Sequence, residues 1–254
     1  MKYSFFDKDK ALIKRLSKIK NDSLIIFPHL GLGDQIINNG AFNVISKNFR
    51  KIYLVSWKKF QNSMDYLYSS QENIEMLYID SAKHAENFDY YFSDVLEFAK
   101  SKNLKVLKLG FENKKKGLPF YEAFYKQVKI DYQDSYKHFN VVRNKSLEEK
   151  LNDHVFKYFN VNPEKYRLVH NEHSSGVKNL RIDDGDTIYV NKESDPFNNL
   201  FLYIGLINNA KEIHCLNSSF CHLVDRVKSK GDLFYHDLMG SKLELNKNWI
   251  TIDY

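Results

Sequence analysis

An aspartate at the expected start of a helix is the first candidate for chemistry in this sequence. Asp34 follows the turn Gly31-Leu-Gly33, and an apolar run at residues 24–27 before the turn predicts a buried strand. The N-terminal dipole of the following helix favours a negative charge, so we expect Asp34 to stay ionised at neutral pH. An ionised carboxylate beside a crevice can take a proton from a hydroxyl nucleophile. The alternative is that Asp34 only caps the helix.

The glycine turn matches part of two phosphate-binding motifs and completes neither of them. Ile36 replaces the third glycine of the dinucleotide-binding pattern GxGxxG, and no acidic residue ends the next predicted strand. A P-loop is excluded because no Gly-Lys-Ser/Thr follows the turn. The sequence therefore predicts a tight turn, containing His29, Gly31 and Gly33, that brings the backbone close to a ligand.

A second junction between a strand, a turn and a helix lies late in the chain, at Asn217-Ser218-Ser219. It follows a predicted strand at 212–215 and precedes a helix predicted at 220–228. Backbone N–H groups and two hydroxyls then converge on one point, as in α/β proteins that bind a phosphate. His222 lies one turn into this helix. The alternatives are that the serines cap the helix and that His222 is a core histidine.

Two histidines lie at the end of a strand predicted at 167–170. His170-Asn-Glu-His173 is one residue short of an HxxEH zinc motif, so we favour polar loop residues that border a ligand over zinc ligands. Lys178 and Arg181 follow and could neutralise the charge of a diphosphate, or belong to a solvated basic loop. We expect His170 to lie near the same ligand.

An Asp-x-Asp pair occurs in Asp183-Asp-Gly-Asp186. Such pairs hold a divalent ion in some sugar transferases, but here a glycine lies inside the segment and a strand follows it. We favour a turn, and we expect neither a metal site nor another cofactor.

Strands alternate with helices along most of the chain, which predicts an α/β fold with mainly parallel sheets. The first series has strands at 24–27, 52–56, 74–79 and 104–109, with helices at 34–48, 58–69, 88–100, 121–128 and 147–159. Pro163 then ends the preceding helix and a second series begins. This series has strands at 167–170, 187–190, 212–215, 233–235 and 249–252, with helices at 198–209 and 220–228. We predict two Rossmann-like domains, 1–162 and 163–254, that face a cleft.

Composition limits the class of protein. A chain of 254 residues with 43% hydrophobic and 15% aromatic content is not a disordered or collagen-like chain. Dispersed lysines give a net charge of +6, which favours anionic partners such as nucleotides, although a lysine-rich background composition explains it equally. The aromatic residues lack the spacing of a nucleic-acid platform, so we expect no nucleic-acid partner.

Location follows from the cysteines and the apolar runs. Cys215 and Cys221 form neither a disulfide framework nor a metal knuckle, which favours a reducing compartment. No signal peptide and no membrane-spanning run is evident, so we expect a cytoplasmic protein. Residues 9–20 predict a short basic helix that packs on the sheet or lies on an anionic membrane, which leaves peripheral contact at the inner membrane face open.

The two junctions together resemble a known family. Gly31-Leu-Gly-Asp34 and Asn217-Ser-Ser-Phe-Cys-His-Leu223 are similar to motifs of GT-B fold glycosyltransferases, especially the heptosyltransferase-like group of family 9. That group opens with a Gly-Asp turn and carries an Asp-Thr-Gly-x-x-His-Leu type motif at its donor site. Asn217 and Ser219 depart from the aspartate and the glycine of that motif. The C-terminal domain, about 90 residues long, is short for such an enzyme.

The resemblance implies a function. Asp34 matches the residue regarded as the catalytic base, and Ser218, Ser219 and His222 match the stretch that contacts the diphosphate of the donor. The expected reaction transfers a sugar from a nucleotide-diphosphate donor to a hydroxyl of a glycan or lipid-linked acceptor, as in bacterial surface glycan synthesis, with inversion and without a metal. Domain 1–162 would be the acceptor side and domain 163–254 the nucleotide-sugar side.

Two other functions stay open. One is a different reaction of a sugar nucleotide, such as epimerisation or hydrolysis. The other is a non-catalytic or sugar-nucleotide-binding protein on a shrunken GT-B fold, which the departure at Asn217 and the reduced C-terminal domain favour.

Overall fold

The chain divides into two units, Met1–Val141 and Val142–Tyr254. The computed structural model describes residues 23–80, 88–110, 119–173, 176–183, 185–238, 240 and 243–254. The basic helix predicted at 9–20 lies outside these residues. Within the described part of the chain, no helix has both the length and the hydropathy that crossing a membrane requires.

In its described residues the first unit has four strands and five α-helices, with a 3₁₀ turn at Lys58–Phe60. They are β1 (Ser23–Phe27), α1 (Leu32–Ser46), β2 (Lys51–Trp57), α2 (Gln61–Leu67), β3 (Ile74–Ile79), α3 (Phe88–Lys102), β4 (Lys105–Lys108), α4 (Phe120–Val128) and α5 (Asp134–Lys137). The strands pair in parallel in the order β3-β2-β1-β4. The prediction of a parallel sheet is confirmed for this unit.

Alternating residues of β1 divide the core of the first unit into two layers. Ile25 and Phe27 pack with Val95 and Ala99 of α3 on one face of the sheet. The residues between them on β1 point to the other face, because successive side chains of a strand alternate. Helix α1 crosses over between β1 and β2, and Gln35 on it donates a hydrogen bond to the Val55 carbonyl at the end of β2. The start of α1 is thereby held at the carboxyl edge of the sheet.

The described residues of the second unit form seven strands and three α-helices, with a 3₁₀ turn at Leu200–Tyr203. They are α6 (Lys145–Phe159), β5 (Arg167–His170), β6 (Glu172–His173), β7 (Gly176–Val177), β8 (Thr187–Tyr189), α7 (Ile204–Asn209), β9 (Glu212–Cys215), α8 (Ser219–Val224), β10 (Asp232–Asp237) and β11 (Trp249–Asp253). Five strands pair in parallel in the order β11-β10-β9-β5-β8. The antiparallel pair β6-β7 is a small hairpin that the sequence analysis missed.

The boundary between the units corrects the prediction. The sequence places it at residue 162, where Pro163 follows a helix, whereas the units divide after Val141. Helix α6 belongs to the second unit because it packs on α7, on the turn Leu200–Tyr203 and on β8. Proline ends this helix as expected, but the end of a helix need not be the end of a domain.

Helix α8 packs on one face of the sheet of the second unit. Phe220 of α8 stacks on His170 of β5 there, with ring centroids 5.5 Å apart. On the other face Arg167 donates a hydrogen bond to the Asp183 carbonyl in the loop before β8, and Ile250 of β11 is 54% exposed.

Helix α8 ends four residues earlier than predicted, at Val224 instead of Lys228. The Nζ group of Lys247 donates to the carbonyls of Val224 and Val227, which satisfies the end of the helix. The next residue, the buried Asp225, accepts hydrogen bonds from the backbone N–H of Lys247 and the indole of Trp249. The sequence gives no local stop signal because these partners come from a distant segment.

Candidate functional site

In both units the strand order reverses beside the first strand. In the first unit β2 and β3 lie on one side of β1, and β4 lies on the other. In the second unit β8 lies on one side of β5, and β9 lies on the other. Ligands of open α/β sheets bind outside the carboxyl ends of the strands at such reversals. Each unit is therefore expected to carry a site there.

Asp34 lies at the reversal in the first unit, in the first turn of α1. The residue before the helix is Gly31, which has extended backbone and makes no side-chain cap, so Asp34 is not the capping residue. Its Oδ2 atom lies 4.0 Å from Nδ1 of His29, in the loop after β1. A β-carbon on Gly31 would lie 2.8 Å from the same carboxylate oxygen. Glycine at position 31 thus makes room for the Asp34 side chain.

Burial, and not the helix dipole, controls the pKa of the Asp34 carboxyl. Burial raises the pKa of the Asp34 carboxyl to about 6. Desolvation outweighs the dipole because the dipole is worth only about 0.3–1 kcal/mol at a typical helix terminus. Asp34 is still mostly ionised at neutral pH, and a carboxylate with this pKa is a stronger base than an exposed one.

Aromatic rings hold His29 from the side of α4. The His29 ring packs edge-on against Phe120, with centroids 4.7 Å apart, and lies 5.3 Å from Phe124. Phe120 is 42% exposed, so this part of the site faces solvent. Neither phenylalanine was among the predicted site residues, and only their position on the helix after β4 could have indicated them.

Gly110 completes the first site and was also missed. It follows β4 with a φ of +91°, and a β-carbon there would lie 2.2 Å from the ring of Phe124 and 3.0 Å from His29. Its N–H donates to the side chain of Gln127, which donates in turn to the Lys108 carbonyl. The loops after β1 and β4 are thus packed on the same rings. A glycine directly after a predicted strand was the available signal. Gly33 lies in the first turn of α1, next to Asp34 in the sequence.

The second reversal brings together part of the predicted donor set. A small open pocket lies at the carboxyl ends of β9 and β10 beside the β6-β7 hairpin. Its lining consists of His173, Lys178, Leu216, Asn217, Tyr235, His236, Asp237 and Leu238. Lys178 and Asn217 were predicted at the donor side, whereas Tyr235 and His236 were not. Their place at the end of a predicted strand was the signal that could have found them.

The serines at the start of α8 differ in their roles. Ser218 is the N-cap, because its hydroxyl accepts a hydrogen bond from the Cys221 N–H at 3.3 Å. Ser219 is the first residue of the helix. Burial, together with the positive charge of Arg226, lowers the pKa of His222 to about 3. His222 is therefore neutral at physiological pH and could act only as a neutral hydrogen-bonding group.

His170 and Arg181 are held by neighbours outside the pocket lining. His170 is buried against Phe220, and burial lowers its pKa to about 4. The guanidinium of Arg181 lies 4.5 Å from the ring centroid of Tyr254, and the Arg181 N–H donates to the Tyr254 hydroxyl. Arg181 thus fastens the loop after Lys178 to the end of β11.

A chain of hydrogen bonds runs across β9 and β10 on the sheet face opposite His170. His214 Nε2 lies 3.3 Å from Glu212, His214 Nδ1 lies 3.0 Å from His236 Nε2, and His236 Nδ1 lies 2.8 Å from the Tyr254 hydroxyl. The carboxylate can only accept, so His214 donates to it, His236 donates to His214, and Tyr254 donates to His236. Both histidines are neutral in this arrangement, and burial lowers the pKa of each.

The described residues contain no group of three His, Cys, Asp or Glu side chains that could hold a metal ion. His170 and His173 fall into different surroundings, one in the core and one at the pocket. Cys215 and Cys221 are both free and buried.

Comparison with solved structures identifies the fold. A glycosyl transferase of family 9 from Veillonella parvula has a TM-score of 0.56 to this chain at 13% identity, covering 92% of this chain and 87% of that one. Heptosyltransferase WaaC of E. coli with ADP has a TM-score of 0.42 to this chain at 10% identity, covering 91% of this chain and 90% of that one. No family model and no curated protein matches the sequence. The chain thus has the α/β fold of a GT-B-like family 9 protein, which confirms the resemblance at the level of the fold.

Proposed function

We propose that this chain, which has the fold of a family 9 glycosyltransferase, transfers a sugar from a nucleotide-diphosphate donor to a hydroxyl acceptor. The observation that carries the proposal is Asp34, a half-buried carboxylate with a pKa of about 6 at the reversal of a parallel sheet. A base works best when its pKa is near the operating pH, because it is then both ionised and basic.

In the proposed reaction Asp34 takes the proton of the acceptor hydroxyl as its oxygen attacks the anomeric carbon. The bond from that carbon to the diphosphate breaks, and the configuration inverts because attack comes from the opposite side. His29, Gly31 and Gly33 form the acceptor side. The acceptor is a glycan or a lipid-linked glycan, which a cytoplasmic protein would meet at the inner membrane face.

The donor occupies the second unit in this proposal. Lys178 and Asn217 line one pocket at the carboxyl ends of the strands, where a cation and an amide can bind a diphosphate. The N-terminal turn of α8, with Ser218, Ser219 and His222, adjoins Asn217, and His170 and Arg181 support the surrounding loops. No metal enters this mechanism, since positive charge comes from the protein.

The test is a screen of nucleotide-diphosphate sugars against glycan and lipid-linked acceptors, with products detected by mass spectrometry. We expect release of nucleoside diphosphate that depends on an acceptor. Asp34→Asn should lower the rate of transfer by roughly 10²–10⁴ because the general base is lost. Asp131→Asn is the matched control, since the Asp131 side chain only accepts a hydrogen bond from the Gln133 N–H, which an amide oxygen can also do.

Three outcomes would contradict parts of the proposal. Transfer by Asp34→Asn at the wild-type rate would remove Asp34 as the base. Nucleotide release that is equal with and without acceptor would indicate a hydrolase. Thermal stabilisation by a sugar nucleotide without turnover would indicate a binding protein on this fold.

A further inference from the structure

His29 and Asp34 form a pair that the surrounding sequence is shaped to accommodate. The two side chains are similarly accessible, at 26% and 24%, and their nearest atoms are 4.0 Å apart. Gly31 leaves space for the carboxylate, and Gly110 leaves space for the imidazole and for Phe124. These glycines come from two loops on neighbouring strands, so one pair of side chains constrains both loops.

Two aromatic rings of α4 pack against the imidazole of His29. Phe120 meets its ring edge-on and Phe124 lies at a tilt of 48°, so α4 holds the ring from one side. A histidine that served only as an apolar filler would not need to direct Nδ1 at a carboxylate. We propose that His29 is the proton partner of Asp34, taking from the carboxyl group the proton that the acceptor hydroxyl gives up.

The proton balance of transfer requires such a partner. When the acceptor oxygen bonds to the anomeric carbon, the electron pair of the breaking bond leaves on the diphosphate and the hydroxyl proton passes to Asp34. The carboxyl group must lose that proton before the next turnover. A neutral imidazole takes it and releases it to solvent from its exposed side. A separation of 4.0 Å is too long for a direct hydrogen bond, but such contacts commonly tighten when substrate binds.

Among the described residues, the charged side chains of α4 and β4 point away from the pair. On α4 the ionisable residues Glu122 and Lys126 lie on the side of the helix away from Phe120, by the helical period of 3.6 residues. Lys108 on β4 alternates to the same sheet face as Val106, which packs with α3. Burial is the cause that raises the pKa of Asp34.

The first test needs no substrate and does not depend on the proposed function. The imidazole titration of His29 is followed by NMR in the full-length wild-type chain and in Asp34→Asn. We expect the His29 midpoint to fall by at least about 0.5 pH unit in the variant, because a carboxylate about 4 Å away favours the imidazolium. His138, which lies 3.5 Å from Asp134 in an i, i+4 pair, serves as the internal reference and should not move. An unchanged His29 midpoint would overturn the inference.

The second test rests on the proposed function and measures kcat and kcat/KM against pH for His29→Gln. Glutamine can form a hydrogen bond but cannot titrate. We expect a lower kcat and an acid limb shifted to higher pH, because Asp34 loses a neighbour that becomes positive in acid. His138→Gln breaks a similar His–Asp pair elsewhere and should keep the wild-type profile.

The two tests separate the possible failures. Transfer by the wild type together with an unchanged profile in His29→Gln would overturn the proton partner and leave the proposed function standing. If the wild type transfers no sugar, the proposed function fails, and the NMR titration still decides whether the pair is coupled. If His29→Gln does not fold, the same titration decides, since it uses only the wild type and Asp34→Asn.

Discussion

At the residue scale, Asp34 illustrates how desolvation and dipole compete at a helix terminus. The carboxylate lies in the first turn of α1, where the dipole favours its charge, yet burial raises its pKa to about 6. Gly31 allows this burial by leaving out a β-carbon that would meet the carboxylate. Burial of the ionised side chain destabilises the folded state, and it also makes the carboxylate a stronger base.

We predict that Asp34→Asn stabilises the protein at pH 7.5. The folded-state pKa lies above the unfolded value of 3.8, so the contribution of Asp34 to stability is full below pH 3.8 and is lost as pH rises through 6. Asparagine removes the buried charge, and the free energy of unfolding should rise by about 1–2 kcal/mol, with partial exposure limiting the gain.

Urea denaturation of the wild type and Asp34→Asn at pH 7.5 and pH 4 measures this difference. The gain should be absent at pH 4, where the carboxyl is protonated in the folded state. Asp131→Asn should show no gain at either pH. A destabilised Asp34→Asn at pH 7.5 would mean that the carboxylate makes favourable contacts that outweigh its desolvation.

At the element scale, the loops after the strands are fixed by packing on α4. Gly110 joins β4 to the aromatic rings that hold His29, and its N–H is bonded to Gln127 on the same helix. The position of α4 thereby determines where the imidazole lies relative to Asp34.

Gly110→Ala should disrupt this element and Gly176→Ala should not. Both glycines have positive φ, of 91° and 102°, so alanine suffers a similar backbone cost at each. The new β-carbon of Gly110 would lie 2.2 Å from the Phe124 ring, whereas no contact within 4 Å is found at Gly176 in the described part of the chain. We expect Gly110→Ala to lose about 1–3 kcal/mol more than Gly176→Ala, as overpacking does.

Denaturant unfolding of both variants, with the NMR signal of His29, checks the prediction. The His29 signal should move in Gly110→Ala and stay in place in Gly176→Ala. Equal losses of unfolding free energy in the two variants would contradict the prediction. They would show that backbone conformation alone causes the destabilisation and that the Phe124 ring can move aside.

At the scale of the whole molecule, the two units differ in how they should respond to acid. The histidines whose pKa is lowered among the described residues, His170, His214, His222 and His236, all belong to the second unit. In the first unit, the carboxyl group of Asp34 has a raised pKa. These shifts have opposite effects on stability as pH falls below 6.5.

We predict that the second unit loses stability first between pH 6.5 and pH 4. A histidine with a lowered folded-state pKa makes the unfolded state bind more protons in this range, so its contribution is present above pH 6.5 and is lost as pH falls toward 4. The hydrogen-bond chain from Glu212 through His214 and His236 to Tyr254 has one proton for each hydrogen bond. Protonation of either histidine would therefore break it, because an acceptor nitrogen would become a donor.

Native-state hydrogen exchange at pH 7 and pH 5, converted to opening free energies, measures each unit in the intact chain. Amides of β9 and β10 should lose more protection than those of β1 and β2. The double variant His214→Phe/His236→Phe, which cannot titrate, should reduce the difference if it folds. Equal losses in both units would contradict the prediction.

The sequence by itself determined the alternation of strands and helices, the parallel sheets and the fold, because apolar periodicity and turn residues are local signals. It also singled out Asp34 and Asn217, since both follow strands directly. The domain boundary and the early end of α8 depended on partners far along the chain, such as Lys247 for α8.

Only the tertiary structure decided which groups share a site and how they titrate. His29 contacts Phe120, Phe124 and Gly110 because β4 lies beside β1. The periodicity of apolar residues does not predict the order of strands in a sheet. The pKa of Asp34 departs from the sequence expectation because burial is a property of the packed chain. Residue types and spacing supplied the candidate base, and packing determined its protonation and its neighbours.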